Sequence, residues 1–229
     1  MALTILGKGD VGRLLNFKKG DFEAYELYIG LFDDGIIQKI NELPKHIKFI
    51  SIHNPTQVKI QEELEPFNLL NEGIVGEESL KVLQKTINLA QEIGVRKIVV
   101  HGARYDMDRL PREKAFELLR KRIEFLDTGE VDLCFETDVG WHNTFYPKMA
   151  LLTAPGDFHE LKKVLNEVRI TADIEHLCIT YCFNQFIEQT RRIDFLKNYL
   201  GRPTLFEKEI YQFIKENFEE IMAGFYHFL

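Results

Sequence analysis

The sequence lacks a disulfide framework, a membrane-length apolar run and a signal peptide. Its three cysteines, Cys134, Cys178 and Cys182, form neither disulfide pairs nor the two pairs of a zinc cluster. We interpret them as buried small side chains in a reducing compartment. No apolar run approaches the roughly 20 residues that a membrane span requires, and the N-terminus is not basic and then apolar. We therefore expect a cytoplasmic protein without a membrane partner.

The chain also lacks an excess of positive charge. Asp and Glu outnumber Lys and Arg by 36 to 29, which gives a net charge of −7 and argues against broad nucleic-acid binding. Apolar residues make up 45%, an ordinary globular fraction. No linker or low-complexity tract interrupts the sequence, so residues 1–229 are predicted to form a single domain.

What the chain does contain is a regular alternation of short apolar runs with longer amphipathic segments. Apolar residues spaced three and four apart predict helices over residues 79–93, 113–125, 157–165 and 187–200. The apolar runs predict seven strands, over residues 3–6, 23–29, 47–53, 97–101, 131–136, 169–173 and 221–227. Strands separated by helices pair in parallel through crossovers, so the predicted fold class is α/β.

Within these strands, apolar residues alternate with small or polar ones. In residues 47–53, Ile50 and Ile52 alternate with Ser51 and His53. One face is therefore apolar and suits a shell of helices, whereas the other is polar. A doubly wound sheet, covered by helices on both faces, tolerates this pattern poorly. The pattern favours a (β/α) barrel, although 229 residues fall short of the roughly 250 that are typical of eight strands.

Four consecutive predicted strands end in a residue that can bind a metal ion or move a proton. These residues are His53, His101, Glu136 and Asp173. In parallel barrels the active site lies at the carboxyl ends of the strands, where such side chains converge. Imidazole and carboxylate together are common ligands of zinc, manganese and similar ions. The alternative is that the four residues are solvated caps at strand ends.

Two more histidines extend this set of candidate ligands. His176 follows Asp173 by three residues, so a chain that turns back over the barrel mouth would bring both to one site. Glu175 would then point away from that site. His227 ends the last predicted strand and is a further candidate metal ligand.

Five short segments, distributed over nearly the whole chain, resemble a known superfamily. They are Tyr25-Glu26-Leu27, Ser51-Ile52-His53-Asn54-Pro55, Ala90–Gly102 (AQEIGVRKIVVHG), Phe135-Glu136-Thr137 and Asp173-Ile174-Glu175-His176. The set resembles the xylose-isomerase-like TIM barrels. That superfamily includes sugar isomerases, ketose epimerases and abasic-site nucleases of the endonuclease IV type.

The resemblance implies a divalent metal, manganese or zinc, and roles for the strand-end residues. Glu136, Asp173 and His227 would be metal ligands, with His101 as an additional ligand in members that bind several ions. Glu136 and His176 would be catalytic, and in the single-metal sugar enzymes His176 would contact the substrate rather than the metal. In such enzymes two carboxylates on either side of a metal-held ketose can move a proton between neighbouring carbons. His53 would contact substrate or be another ligand.

Loop residues after two of these strands are candidate substrate contacts. Trp141 and His142 follow Glu136 closely. The tryptophan can form an apolar wall for a sugar ring and the histidine can move a proton or bind metal, but packing explains both equally well. Arg104, which follows His101, can contact an anionic group; the alternative is a solvated arginine.

In one respect the chain departs from the superfamily. Only seven strands are predicted, so the eighth strand and its carboxylate are missing. An open barrel leaves two strand edges unpaired, which proteins normally avoid. The chain would then be a fragment, close with seven strands or receive a strand from a partner. In the single-metal sugar enzymes the last glutamate resembles one of the two bases, so its absence counts against epimerase chemistry.

A glycine-rich motif near the start supports other interpretations. Residues 7–12, GKGDVG, match the spacing G-x-G-x-x-G that binds dinucleotides, although the predicted helix after it is short and no acidic residue is placed for a ribose. In a barrel, the amides of this loop could hold a phosphate or sugar oxygen. A plain structural turn is the simplest explanation.

Three functions fit the sequence. The first is a metal-dependent isomerase or epimerase that acts on a small-molecule sugar or sugar phosphate. The second is a metal-dependent phosphodiesterase of the endonuclease IV type, for which the basic residues between Arg104 and Arg122 would supply a local patch. The third is a non-catalytic barrel. We interpret the C-terminal aromatic residues as core or as the contact of a homo-oligomer; they are Phe206, Tyr211, Phe213, Phe218, Phe225, Tyr226 and Phe228.

Overall fold

The computed structural model of the chain describes residues 6–101, 103–106, 109–139, 148–165, 168–191 and 208–228. These residues form strands β1 (Leu6–Gly9), β2 (Ala24–Tyr28), β3 (Phe49–His53), β4 (Gln57–Ile60), β5 (Glu63–Pro66), β6 (Lys97–His101), β7 (Arg104–Asp106), β8 (Asp132–Glu136), β9 (Lys148–Ala150) and β10 (Arg169–Thr171). The helices among them are α1 (Val11–Leu14), α2 (Ile36–Asn41), α3 (Ile74–Glu92), α4 (Arg112–Glu124), α5 (Pro155–Val164), α6 (Ile174–Thr190), α7 (Lys208–Glu216) and α8 (Phe218–Phe228).

Six of the strands form a parallel sheet in the order β1-β2-β3-β6-β8-β10. Helices lie between successive strands of this sheet along the chain, which confirms the predicted α/β class. Among the described residues, no pairing joins β10 to β1, so the sheet is open there. The hairpin β4–β5 and the antiparallel pair β7–β9 are additions that the sequence patterns did not predict.

Most predicted elements agree with the observed ones. The predicted strands over 23–29, 47–53, 97–101, 131–136 and 169–173 correspond to β2, β3, β6, β8 and β10, and the helices over 79–93, 113–125 and 157–165 to α3, α4 and α5. The predicted strand over 3–6 overlaps β1 only at Leu6, since residues 1–5 lie outside the described residues. The predicted helix over 187–200 overlaps only the end of α6, and 192–200 lie outside the described residues.

The chain divides into two compact units that interleave along the sequence. The first comprises Met1–His101, Lys121–Phe135 and Glu167–Arg169, and the second comprises Gly102–Arg120, Glu136–Asn166 and Ile170–Leu229. The single domain over residues 1–229 stays a prediction.

In the first unit, α3 shows the spacing that its sequence predicts. Leu83, Ile87 and Ala90 lie on one face and are fully buried. The helix ends before Gly94, whose φ of +73° places it in the left-handed region that favours glycine. The amide of Val95 then donates to the carbonyl of Ala90 at 2.8 Å, which satisfies one of the last helical carbonyl groups.

The start of α3 packs closely against a half-buried arginine of α4. Arg122 donates from Nη2 to the backbone carbonyl of Asn71 at 2.7 Å, and burial lowers the pKa of its guanidinium. A Cβ atom built on Gly76 would overlap both that carbonyl oxygen and Arg122 Nη1. Gly76 therefore allows the arginine to approach the helix backbone.

The glycine-rich motif is a strand end followed by one helical turn. Asp10 caps α1 by accepting a hydrogen bond from the Arg13 amide at 2.8 Å. A Cβ atom on Gly7 would lie 2.6 Å from the Phe22 ring and 2.9 Å from the Tyr25 ring. Packing alone thus explains this glycine, which favours the structural-turn interpretation.

In the second unit, a buried carboxylate organises the start of α5. Oδ2 of Asp157 accepts the amides of Thr153 and Ala154 at 2.7 and 2.9 Å, and Oδ1 accepts Nη2 of Arg112 at 2.5 Å. Asp157 is 6% exposed, so this ion pair is largely removed from water. The network joins α4 to the segment that precedes α5.

The C-terminal segment corrects the prediction of a seventh strand. Residues 221–227 lie within α8, and Ile221 and Phe225, four residues apart, are both buried. Apolar residues at this spacing fit a helix face, and packing against α6 selects the helix. His227 is exposed near the end of this helix.

The C-terminal aromatic residues whose side chains the structure describes divide between core and surface, whereas Phe206 and the side chain of Phe228 lie outside the described part. Phe225 is buried. Phe213, in α7, is partly buried and packs against a cluster of buried side chains from α6 and α7. Tyr211, Phe218 and Tyr226 are exposed. The homo-oligomer contact stays a prediction. None of the described helices is long and apolar enough to span a membrane.

Candidate metal centre

The centre of the site is the carboxyl end of β8. Every side chain from residue 133 to 139 is buried, both in the strand and just after it. Glu136, the last residue of β8, is 5% exposed. A carboxylate at the buried carboxyl end of a strand is placed to act as a ligand or a proton acceptor.

The second part of the site is the start of α6. Asp173 is the N-cap of this helix, with an extended backbone, and its Oδ1 accepts the amide of His176 at 3.0 Å. This first turn brings the two side chains to the same side, with Asp173 Oδ2 3.7 Å from His176 Nδ1. Glu175, between them in sequence, is exposed.

Glu136, Asp173 and His176 come together in the second unit. Each offers one ligand atom, and these three atoms lie within 4.8 Å of one another. Glu136 is buried, whereas the side chains of Asp173 and His176 are 30% and 23% exposed. Two carboxylates and one imidazole are a donor set that manganese and zinc accept, so these residues fit a divalent metal.

Thr137, to which the sequence motifs assign no role, belongs to the site. It is completely buried; its Oγ1 accepts the Asp173 amide at 2.9 Å and donates to the Asp173 carbonyl at 3.2 Å. Its own carbonyl is 2.6 Å from His176 Nδ1. Thr137 therefore fixes the position of both Asp173 and His176 relative to the end of β8.

The contact with Thr137 also assigns the hydrogen on the His176 ring. A carbonyl oxygen only accepts hydrogen bonds, so Nδ1 of His176 carries the hydrogen. In the neutral ring Nε2 is then the atom with the lone pair, and it is the atom that would bind a metal. A histidine held by a backbone carbonyl through its other nitrogen is the usual arrangement of a metal ligand.

In the first unit, two further predicted residues lie side by side. The rings of His53 and His101, from β3 and β6, have centroids 4.7 Å apart, and Tyr28 lies 5.2 Å from His53. His53 is 1% exposed, and its Nδ1 is 3.0 Å from the carbonyl of Asn54, which places the hydrogen on Nδ1. The lone pair of the neutral His53 ring is then on Nε2.

The remaining predicted substrate and metal residues are Arg104, Trp141, His142 and His227. Arg104 is half-buried and pairs with Asp138 at 3.4 Å from its Nε, so it is not simply a solvated arginine. Trp141 and His142 lie outside the described residues. His227, on α8, is not part of the groups of potential ligands found in the described part of the chain.

The sequence patterns also did not predict a polar cluster on strands β1, β2 and β3. Glu26 accepts the Ser51 hydroxyl at 2.8 Å and pairs with Lys8 at 3.0 Å. Lys8 also lies over the Tyr28 ring at 5.8 Å. Glu26 alternates with apolar neighbours in β2, which is a signal that the sequence contains, whereas Lys8 lies between two glycines. Both residues lie inside strands rather than at the ends where the sequence predicts ligands.

Comparison with known proteins identifies the fold. No protein-family model matches the chain, and no curated protein matches it in sequence. A D-tagatose 3-epimerase-like protein superposes with a TM-score of 0.55 at 14% identity, covering 87% of this chain and 74% of that one.

Two other solved structures have lower TM-scores. A xylose isomerase-like TIM barrel protein from Mycobacterium smegmatis, in complex with magnesium, gives 0.49 at 12% identity and covers 78% of this chain and 67% of that one. Endonuclease IV from Thermus thermophilus gives 0.47 at 15% identity, covering 83% and 70%. At these identities the likeness concerns the fold alone. The chain has the fold of the D-tagatose 3-epimerase-like protein, which agrees with the xylose-isomerase-like TIM-barrel fold that its sequence motifs predict.

Proposed function

We propose that this chain is a divalent-metal-dependent isomerase or epimerase that acts on a sugar or sugar phosphate. The observation that carries the proposal is the group formed by Glu136, Asp173 and His176, whose ligand atoms lie within 4.8 Å of one another. Glu136 is the last residue of β8, and Asp173 and His176 come soon after β10, so all three lie near the carboxyl ends of strands, where barrel enzymes carry their active sites. The fold likeness to a D-tagatose 3-epimerase-like protein agrees with sugar chemistry.

The three side chains would share the work of binding and proton transfer. A bound divalent ion would stabilise negative charge on the oxygens of a hydroxyketone. Glu136, buried at the end of β8, is placed to accept a proton from the carbon next to the carbonyl group. Nε2 of His176 would bind the metal or accept a hydrogen bond from a substrate hydroxyl, with the ring held in place through Thr137.

Metal titration of ligand variants tests the site. We expect the metal-free protein to bind about one equivalent of Mn²⁺. Glu136→Gln and Asp173→Asn should each weaken binding by at least ~100-fold, since a group behind a ligand already contributes about 10- to 100-fold. Glu175→Gln is the matched control, because Glu175 lies in the same helical turn but is exposed. Full metal affinity in both ligand variants would refute the assignment.

Proton exchange then tests the reaction. A ketose or ketose phosphate incubated with the metal-loaded protein in D₂O should acquire deuterium at the carbon next to the carbonyl group. Glu136→Gln should abolish this exchange, and Glu175→Gln should leave it unchanged. A panel of ketoses, with and without a phosphate, would define the substrate. Metal binding without exchange on any member of the panel would favour a non-catalytic barrel.

A second candidate function is the phosphodiesterase of the endonuclease IV type. The observation in its favour is the adjacent pair of imidazoles in the first unit, the buried His53 and the half-buried His101, which are the kind of ligand that zinc prefers. Two or three equivalents of zinc and cleavage of DNA at an abasic site would support this function. One equivalent of metal and no cleavage would exclude it.

A further inference from the structure

Helix α6 carries two cysteines that face each other one turn apart. Cys178 and Cys182 are both free thiols, and their Sγ atoms are 4.0 Å apart. Cys182 is 3% exposed, whereas Cys178 is half-buried. The sulfur of Cys182 is therefore inside the fold, whereas the sulfur of Cys178, next to it, belongs to a residue that is partly accessible to solvent. Neither cysteine has a role in the proposed reaction.

The helix geometry disfavours a disulfide between these thiols. Side chains four residues apart on a helix have Cβ atoms about 5–6 Å apart, whereas a disulfide requires roughly 3.5–4.5 Å. Helix α6 continues without a break from Ile174 to Thr190. Oxidation to a disulfide would distort this turn, so the sulfurs remain available as a pair of ligands.

The sulfur separation and the surroundings select the kind of cation. On a tetrahedral zinc ion, with zinc–sulfur bonds of about 2.3 Å, the sulfur atoms of two thiolates would lie about 3.8 Å apart. On a linear two-coordinate ion with bonds of the same length, they would lie about 4.6 Å apart. The observed 4.0 Å lies between these values, within reach of a small side-chain rotation. In the described part of the chain, no other His, Cys, Asp or Glu joins the pair to complete a zinc site. Two thiolates without further ligands suit a soft cation of low coordination number.

We propose that Cys178 and Cys182 form a two-thiolate site for one Cu(I) ion. Each thiol loses its proton to solvent on binding, and the two sulfurs coordinate the ion directly. The oxidation state of copper and sulfur does not change. This site uses sulfur ligands on the second and third turns of α6, whereas the proposed sugar site uses carboxylate and imidazole ligands.

An anaerobic titration with Cu(I), in competition with a chromogenic Cu(I) chelator, tests the proposal. We expect one equivalent to bind to the full-length protein. Cys178→Ser should lower the Cu(I) affinity at least ~100-fold, because one of two direct ligands is lost, which exceeds the effect of groups behind a ligand. Cys134→Ser is the matched control, since Cys134 is a buried cysteine of β8 whose pKa is raised by burial. It should bind Cu(I) like the wild type.

X-ray absorption of the Cu(I)-loaded wild type provides a measurement that needs no variant. Two sulfur neighbours and no nitrogen or oxygen neighbour are expected. Circular dichroism should show that Cys178→Ser keeps its helix content, because Cys178 is half-buried. Unchanged Cu(I) affinity in Cys178→Ser, loss of binding in Cys134→Ser, or nitrogen and oxygen neighbours would each overturn the proposal. Asp173→Asn should bind Cu(I) normally even if the sugar-site assignment fails.

Discussion

Removing the hydroxyl group of Thr137 should weaken both the fold and the metal site. Thr137→Val keeps the shape of this fully buried side chain but removes both hydrogen bonds to Asp173. The Asp173 carbonyl keeps the Leu177 amide at 3.0 Å, so the loss falls on the Asp173 amide. An amide left without a partner costs roughly 1–3 kcal/mol, and we expect the free energy of unfolding to fall by about 2 kcal/mol.

Thr137→Ser separates the hydrogen bonds from the packing. Serine keeps the hydroxyl and removes one buried methyl group, which costs about 1 kcal/mol. We therefore expect the serine variant to be more stable than the valine variant by about 1 kcal/mol, although valine buries more apolar surface. Urea unfolding in the presence of a chelator measures this difference. A valine variant as stable as the serine variant, or more so, would refute the role of the hydroxyl group.

Two further predictions concern packing in each unit. Gly76→Ala should lower the free energy of unfolding by about 2 kcal/mol, because its methyl group would overlap the backbone carbonyl oxygen of Asn71 as well as Arg122. Gly156→Ala in α5, where a Cβ meets nothing within 4 Å, should be neutral or stabilising in the same urea experiment. Asp157→Ala should cost about 3 kcal/mol, since it leaves the partly buried Arg112 without this partner and two amides uncapped. A thermal midpoint within one degree or so of the wild type would contradict either destabilisation.

The sequence predicted the strand ends well because each is marked by two independent signals. His53, His101 and Glu136 each follow an apolar run and each ends a strand where the pattern predicts it. Burial of the strand and a polar residue at its end both follow from the barrel architecture. The pattern could be read from adjacent residues alone, without knowledge of tertiary contacts.

The errors concern segments where two periodicities fit the same residues. Ile221 and Phe225 are compatible with a strand or with a helix face, and packing against α6 decides for the helix. Asp173 was assigned to a strand, whereas it is the N-cap of α6. Its preference for caps, followed by the apolar residue Leu177 one turn later, was a signal that could have placed the helix start.

The role of Thr137 could not be predicted, because its partners are 36 and 39 residues away in sequence. Only the pairing of β8 with β10 brings them together. A threonine after a strand is common, and its neighbours in sequence do not show whether it will hold ligands such as Asp173 and His176 in position. The sequence could therefore identify candidate ligands but not the residue that positions them.

The position of Thr137 between the strand end and the ligands makes metal binding and stability interdependent. Suppose that Thr137→Val weakens metal binding 10- to 100-fold relative to Thr137→Ser. At the same saturating metal concentration, the metal should then stabilise the valine variant by about 1.4–2.7 kcal/mol less than it stabilises the serine variant. The difference in stability between the two variants should therefore grow when Mn²⁺ replaces the chelator in the urea experiment. A threonine with a purely structural role would give the same difference with and without metal. An unchanged difference would thus separate a contribution to packing from the positioning of Asp173 and His176.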